Sequence, residues 1–252
     1  MSQNEPRFHI YSSDKELDQR RRFVQDFRNC PIPEREILAN LALFLNRQTL
    51  SRLLYMHDLY RRIIDVPGVV MEFGVRWGQN LALFSNFRGM YEPYNFSRKI
   101  IGFDTFSGFP AVSPEDGQAA LAKVGGYNVT DNYEEYLRRV LDYHQNESPL
   151  SHIPKYELCV GDACQTLPQY LKDHPETIVA LAYFDFDLYE PTKECLFAIR
   201  DRLTRGSVLA FDELNCKEFP GETLAVMEVL GLDQFRLQRN PHVPVGAFLV
   251  VD

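Results

Sequence analysis

From Pro33 onward the apolar positions take helical spacing. Ile37, Leu41, Phe44 and Leu45 recur at i, i+4, i+7 and i+8, and Leu50, Leu53, Leu54, His57 and Ile64 continue with a similar period. Pro67-Gly68 ends this region sharply. His57 on that stripe reads as a core or interface residue rather than a ligand. Residues 1 to about 30 are polar and carry no such stripe. Beyond Gly68 the texture changes: short apolar runs of strand length at 69–73, 99–103, 156–160, 178–184, 207–211 and 247–251 alternate with candidate helices at 79–87, 132–144, 192–203 and 222–230. Pro191 sits where the first turn of the third of these helices tolerates it. Runs that are apolar on both faces and separated by helices predict an α/β fold, a mostly parallel sheet with helices on both faces. The expected organisation is a helical extension over 1–65 and a sheet domain over 66–252. The apolar stripe of the extension exceeds what one short sheet edge needs to cover, so it is expected to serve as a lid and a homo-oligomer surface.

Composition narrows the function classes. Hydrophobic residues make up 45% and charged residues 25%, enough for a sizeable core and too apolar for a disordered chain. Lys plus Arg total 27 against 35 Asp plus Glu, a net charge of −8, which argues against nucleic acid as the main partner. The basic runs Arg20-Arg21-Arg22, Arg61-Arg62 and Arg138-Arg139 have acidic residues nearby and read as solvated helix faces. Five cysteines without C-x-x-C spacing indicate neither a zinc site nor a disulfide framework, and Cys159 and Cys195 lie in apolar runs as expected core residues. No segment approaches the roughly 18 apolar residues of a membrane span, and the first residues hold no apolar signal region. A soluble, cytoplasmic protein without a membrane partner is the expectation.

In a parallel sheet covered on both sides, ligands bind outside the carboxyl ends of the strands. The first strand ends Glu72-Phe73-Gly74-Val75-Arg76-Trp77-Gly78, a tight turn suited to close ligand approach, and not the dinucleotide fingerprint, since Arg76 fills a position that should be small. Glu72, in a buried strand, needs a partner; a cationic ligand group or the neighbouring Arg76 would each serve. The second strand ends in Asp104, where an acid commonly accepts hydrogen bonds from ribose hydroxyls. The third ends in Asp162, the fourth in Asp185-Phe186-Asp187 and the fifth in Asp212-Glu213. Any one of these acids could cap a helix, Asp187 above all, but five strand ends in succession are hard to explain as caps. Glu72, Asp104 and Asp162 sit where an adenosine with a positively charged tail would lie. Asp185, Asp187, Asp212 and Glu213 would converge and repel unless a cation or protons intervene, and hard oxygen ligands suit Mg²⁺, Ca²⁺ or Mn²⁺.

The chain resembles the S-adenosylmethionine-dependent methyltransferases and, more narrowly, the macrocin O-methyltransferase family of antibiotic deoxysugar biosynthesis. The similarity rests on Val66-Pro67-Gly68-Val69-Val70-Met71-Glu72-Phe73-Gly74-Val75, on Gly102-Phe103-Asp104-Thr105-Phe106-Ser107-Gly108-Phe109-Pro110, on Asp185-Phe186-Asp187-Leu188-Tyr189-Glu190-Pro191-Thr192, and on Gly206-Ser207-Val208 running to Asp212-Glu213. It spans roughly residues 35 to 252. The resemblance implies a Rossmann-like methyltransferase sheet in which Glu72 and Gly74 hold the methionine end of S-adenosylmethionine. Asp104, with Thr105 and Phe106 after it, would border the ribose, and Asp162 with Ala163 the adenine. It further implies that Asp185, Asp212 and Glu213 ligate Mg²⁺, with Asp185 also in the donor site and placed to take the proton of a sugar hydroxyl. Two departures stand out: Glu213 where relatives carry Asp, and a poorly matching segment over 108–128, which in the family helps cover the acceptor. The acidic site argues against a strongly anionic acceptor unless a metal or an Arg compensates. Methylation of a catechol-like or other natural-product hydroxyl, and a noncatalytic interaction subunit, are the alternatives; a nicotinamide dehydrogenase lacks its third fingerprint glycine and any Tyr-x-x-x-Lys relay.

Overall fold

A computed structural model describes residues 12–252. The chain divides into two compact units between Ser51 and Arg52. In the first, the polar stretch that carries no apolar stripe forms α1 (Asp14–Arg28). Its start is a capping box: Ser13 N donates to Glu16 Oε2 at 2.8 Å and Glu16 N donates to the Ser13 hydroxyl at 3.4 Å. That Ser-x-x-Glu signal stands in the sequence and outweighs the missing stripe. α2 (Glu34–Ile37) passes into a 3₁₀ segment, Leu38–Phe44, so the helical spacing expected here winds at three residues per turn instead. Phe23 and Phe27 lie against the Phe44 ring, and no residue of these elements is buried.

α3 (Arg47–Arg62) carries a buried face, but not the expected one. Tyr55, Met56, Leu59 and Tyr60 on the helix, and Ile63 just beyond it, are buried, whereas Leu54 is 40% exposed. Counting leucines placed the stripe too far round; tyrosines with apolar rings and polar tips fill the core side.

The sheet holds β1 (Val69–Phe73), β2 (Ile100–Asp104), β3 (Tyr156–Val160), β4 (Val179–Phe184), β5 (Leu203–Phe211), β6 (Gln238–Arg239) and β7 (Ala247–Val250), in the order β3-β2-β1-β4-β5-β7-β6. β1 to β5 are parallel; β7 pairs antiparallel to β5 and β6 antiparallel to β7. Helices α4 (Gln79–Tyr91) and α5 (Tyr133–Glu147), with α3, supply one apolar layer, which packs on Val70, Leu181, Tyr183, Val208 and Ala210. Helices α6 (Ala163–Asp173), α7 (Tyr189–Ile199) and α8 (Gly221–Val229) lie in the second half of the chain. Residues of all three join the other layer, against Met71, Phe73, Phe103, Phe184 and Phe211. α6 escapes a reading by spacing because Pro168 interrupts it. α7 starts three residues before the expected helix and gives way at Arg200–Arg202 to a 3₁₀ turn, so Leu203 opens β5.

Four phenylalanines stack across β2, β1, β4 and β5 at the strand ends. The Phe73 ring lies 5.0 Å from Phe103 and 4.7 Å from Phe184, and Phe184 lies 5.2 Å from Phe211. This aromatic row lies at or next to the last residue of four strands. Cys195 is buried in this layer and Cys159 lies at its border.

Candidate active site

β1 and β4 are neighbours in the sheet, yet the chain winds away from them in opposite directions, through β2 and β3 on one side and β5 on the other. A crevice at the strand ends is the topological consequence. Two clusters of acids stand there.

The first surrounds the end of β1. Glu72 is buried and pairs in register with Gly102 and Tyr183. Its Oε1 accepts from the Asn80 amide at 2.8 Å, so Asn80, and not Arg76, is its protein partner. Its Oε2 is buried without a hydrogen-bond partner. Burial pushes the Glu72 carboxyl well above the usual range, with Asp185 and Asp104 adding repulsion. An orphaned buried carboxyl oxygen costs roughly 1–3 kcal/mol unless a ligand satisfies it. It fits a cationic ligand group. Gly74, at φ +92°, lets β1 turn away under the β4 loop; a Cβ there would lie 2.0 Å from the Asp185 carbonyl oxygen.

Asp104 closes the same crevice from β2. Its Oδ2 accepts from the Arg76 backbone at 2.7 Å and its Oδ1 from the Phe106 backbone at 2.6 Å. Burial raises its pKa, and these backbone bonds oppose the rise. Phe106, at φ +53°, packs at the edge of the first layer, while the Thr105 hydroxyl donates to the Gly108 carbonyl at 2.7 Å. Asp162 caps α6, accepting from Cys164 N at 2.9 Å, and Ala163 is buried beside it. Arg76 lies over the rings of Trp77 and Tyr127, at 5.8 Å and 4.8 Å.

The second cluster comes from β4 and β5. Asp185, Asp187 and Glu213 bring one carboxylate oxygen each within 4.8 Å of the others. Asp187 takes the place expected of Asp212, and the reason lies in α3. Arg52 Nη1 donates to both Asp212 oxygens, at 2.7 Å and 2.8 Å, and its Nη2 donates to Asp185 Oδ2 at 2.6 Å. The Tyr183 hydroxyl also donates to Asp212. Burial would raise the Asp212 carboxyl, but Arg52 and these hydrogen bonds outweigh it and hold it below the usual range. The other three go the opposite way: burial, with mutual repulsion, lifts Asp185 and Glu213 well up and Asp187 to about 7. Three raised, buried or half-buried carboxyls within reach of one point fit a hard divalent ion. Asp187 is not a helix cap, because Leu188 occupies that place and Asp187 stands at φ +61°.

Several side chains that bind to these acids or to their loops carried no signal in the sequence. Arg52 is one cation among the helix's several, and only the fold shows which one reaches the acids. Glu222 and Asp116 are buried carboxylates that accept backbone N–H groups: Asp116 Oδ1 takes Tyr189 N at 2.6 Å, tying the 108–128 segment to the start of α7. Asn80 could have been found, since the strand–turn–helix run from Glu72 through Gly78 returns the first turn of α4 to the end of β1.

The chain is similar to two crystal structures of CalS11. The first, a calicheamicin methyltransferase, is 45% identical over 99% of this chain and 98% of that one, with a TM-score of 0.93. The second, an apo structure named as a TDP-rhamnose 3'-O-methyltransferase of calicheamicin biosynthesis, is 44% identical over 96% of each chain, with a TM-score of 0.85. The O-methyltransferase NovP shares the fold at 21% identity and a TM-score of 0.60, over 80% of this chain and 79% of its own. No protein-family model and no curated protein matches the chain.

Proposed function

We propose that this chain, which belongs to the S-adenosylmethionine-dependent deoxysugar O-methyltransferase family of antibiotic biosynthesis, methylates a hydroxyl of a nucleotide-linked 6-deoxyhexose. The observation that carries this reading is the 45% identity over 98% of CalS11, together with the name of that relative as a TDP-rhamnose 3'-O-methyltransferase. Arg52 supports it chemically. An anionic acceptor entering a pocket of acids needs a compensating cation, and Arg52 stands among them.

The chain's residues divide the work. Glu72, with its unsatisfied Oε2, takes the ammonium group of the methionine end, while Gly74 leaves room for the donor against the backbone. Asp104, flanked by Thr105 and Phe106, faces the ribose, and Asp162 with Ala163 borders the adenine. S-adenosylmethionine supplies the electrophilic methyl group and a sulfonium whose charge vanishes on transfer. As the new O–CH₃ bond forms, the S–CH₃ bond breaks and its electron pair stays on sulfur. The protein's part is alignment and removal of the hydroxyl proton, which Asp185 accepts. A raised pKa makes Asp185 a better base than an ordinary carboxylate whenever it is ionised.

Asp185, Asp187 and Glu213 would hold a divalent ion, Mg²⁺ above all. Bound there, it would act as a Lewis acid and lower the pKa of the sugar hydroxyl. Asp212, engaged by Arg52, orients that side chain rather than joining the ligand set.

The extension over 1–65, of which residues 12–65 are described, is proposed as an oligomer surface and a lid. Supporting it are exposed apolar side chains within the first unit, among them Leu38 at 77% and Leu43 at 65%. Homo-oligomeric assembly and a cytoplasmic location are part of the same proposal; among the described residues no helix is long and apolar enough to cross a membrane. The test of the substrate is direct. The protein, donor and Mg²⁺ are incubated with nucleotide-linked 6-deoxyhexoses, the free sugars and catechols, and products are read by mass spectrometry. Methylation confined to catechols would overturn the assignment.

A further inference from the structure

The acids of the proposed reaction sit on two loops that the chain does not join directly. One leaves β4 through Asp185, Phe186 and Asp187, and the other leaves β5 through Asp212 and Glu213. A single side chain holds both. Glu222, in the first turn of α8, is 0% exposed. Its Oε1 accepts from Phe186 N at 3.0 Å and from Asp187 N at 3.3 Å, and its Oε2 accepts from Glu213 N at 3.1 Å. Three main-chain amides that would otherwise be buried without partners thus converge on one carboxylate.

The surroundings are shaped for this contact. Gly221 brings the helix start against the opposite loop, where a Cβ would lie 2.5 Å from Tyr189 N and 2.8 Å from Asp116 Oδ1. Asp187 is held in the left-handed region at φ +61°, a conformation that persists in a non-glycine residue only where its surroundings determine it. A further buried carboxylate beside four others is a costly choice for capping alone, since a neutral Ser or Asn accepts an amide without adding charge. What the carboxylate uniquely offers is two acceptor oxygens set back to back, one for each loop.

We propose that Glu222 is a positioning residue for methyl transfer. Through the amides of Phe186, Asp187 and Glu213 it sets the distance between the β4 acids and the β5 acid, without touching donor or acceptor. This rests on the reading of Asp185 and its neighbours as the reacting centre. Misplacing that centre by a fraction of an ångström lowers turnover and leaves donor binding alone, because the hydrogen bonds of Glu222 run to Phe186, Asp187 and Glu213 and not to Glu72, Asp104 or Asp162 on the adenosine side.

Glu222→Gln, made in the full chain, keeps the size of the side chain but turns an NH₂ group against one of the two loops. We expect kcat to fall about 10–100-fold, with donor affinity by calorimetry and acceptor KM unchanged. Glu222→Asp keeps the carboxyl group and shortens the arm, and its kcat should fall between those of the unaltered protein and Glu222→Gln. Asp185→Asn, measured beside them, separates the layers of inference. An inactive Asp185→Asn with a folded, fully active Glu222→Gln overturns the role of Glu222 alone; an active Asp185→Asn overturns the reading of the acids and the role of Glu222 with it. Should Glu222→Gln fail to fold, hydrogen exchange on the unaltered protein decides. Slow exchange of Phe186, Asp187 and Glu213 in step with α8 supports the clamp, and fast exchange at either loop overturns it.

Discussion

Removing the Arg52 guanidinium tests the charge balance of the site without touching its acids. Arg52 donates three short hydrogen bonds, at 2.7 Å and 2.8 Å to Asp212 and 2.6 Å to Asp185. Arg52→Met keeps the stem and deletes the charge. Taking one partner from a buried ion pair costs about 3–5 kcal/mol. Here the side chains keep some solvent, with 26% exposure for Arg52, 24% for Asp185 and 15% for Asp212, so the lower end applies. About 3 kcal/mol, at roughly 2–4 °C per kcal/mol for a chain of this size, lowers the thermal midpoint by about 6–12 °C. The pH dependence has a definite sign. In the unaltered protein Asp212 lies below its ordinary pKa, so its contribution is complete at neutral pH and persists until the pH falls beneath the ordinary carboxylate range. Without Arg52, burial and the neighbouring acids raise Asp212 instead, and a raised carboxyl destabilises the fold above its unfolded pKa. That penalty fades as acidification protonates it. The gap between variant and parent is therefore widest near pH 7–8 and narrows toward about pH 4. Added Mg²⁺ should raise the midpoint of Arg52→Met more than that of the parent, because a cation again offsets the acids. Calorimetric scans of both proteins at four pH values, with and without Mg²⁺, supply the comparison. A midpoint at pH 7.5 within a degree of the parent, or an equal gap at all pH values, would refute the electrostatic account of Arg52.

Glu72→Ala removes the unpartnered oxygen proposed for the donor's ammonium group; a charge-assisted bond of about 1.5–3 kcal/mol predicts 10- to 150-fold weaker binding of the demethylated donor by calorimetry. Unchanged affinity in the folded variant would return Glu72 to a role within the protein alone. Asp185→Asn should cut turnover by about 10²–10⁴-fold while the donor still binds, and chelation should abolish turnover of the unaltered enzyme; full activity after exhaustive chelation would remove the ion from the mechanism. Replacing Leu38 and Leu43 together by Lys should reduce the oligomer seen by light scattering with the thermal midpoint kept, and an unchanged mass would dismiss that surface.

The strand ends were legible from the chain alone because burial on both faces of a parallel sheet leaves its own mark. Six apolar runs, each bounded by turn residues, correspond to β1–β5 and β7, and the acids that follow them could only stand at the carboxyl edge. The two-residue β6 was too short to leave a pattern, and α6 was hidden by Pro168. Side chains that act across the fold had no such mark. Arg52 meets Asp185 and Asp212 across 133 and 160 residues, and Glu222 meets Phe186 across 36. Local periodicity reports which side of an element is buried, and says nothing of which distant charge will be its partner. Even that local reading failed in α3, where Tyr55, Met56 and Tyr60 share the buried face with Leu59. The exchange of Asp212 for Asp187 beside Asp185 and Glu213 has the same origin. The spacing of residues along two strands placed all four acids at one edge of the sheet, but only a guanidinium arriving from a separate helix decided which carboxylate it would hold with two hydrogen bonds.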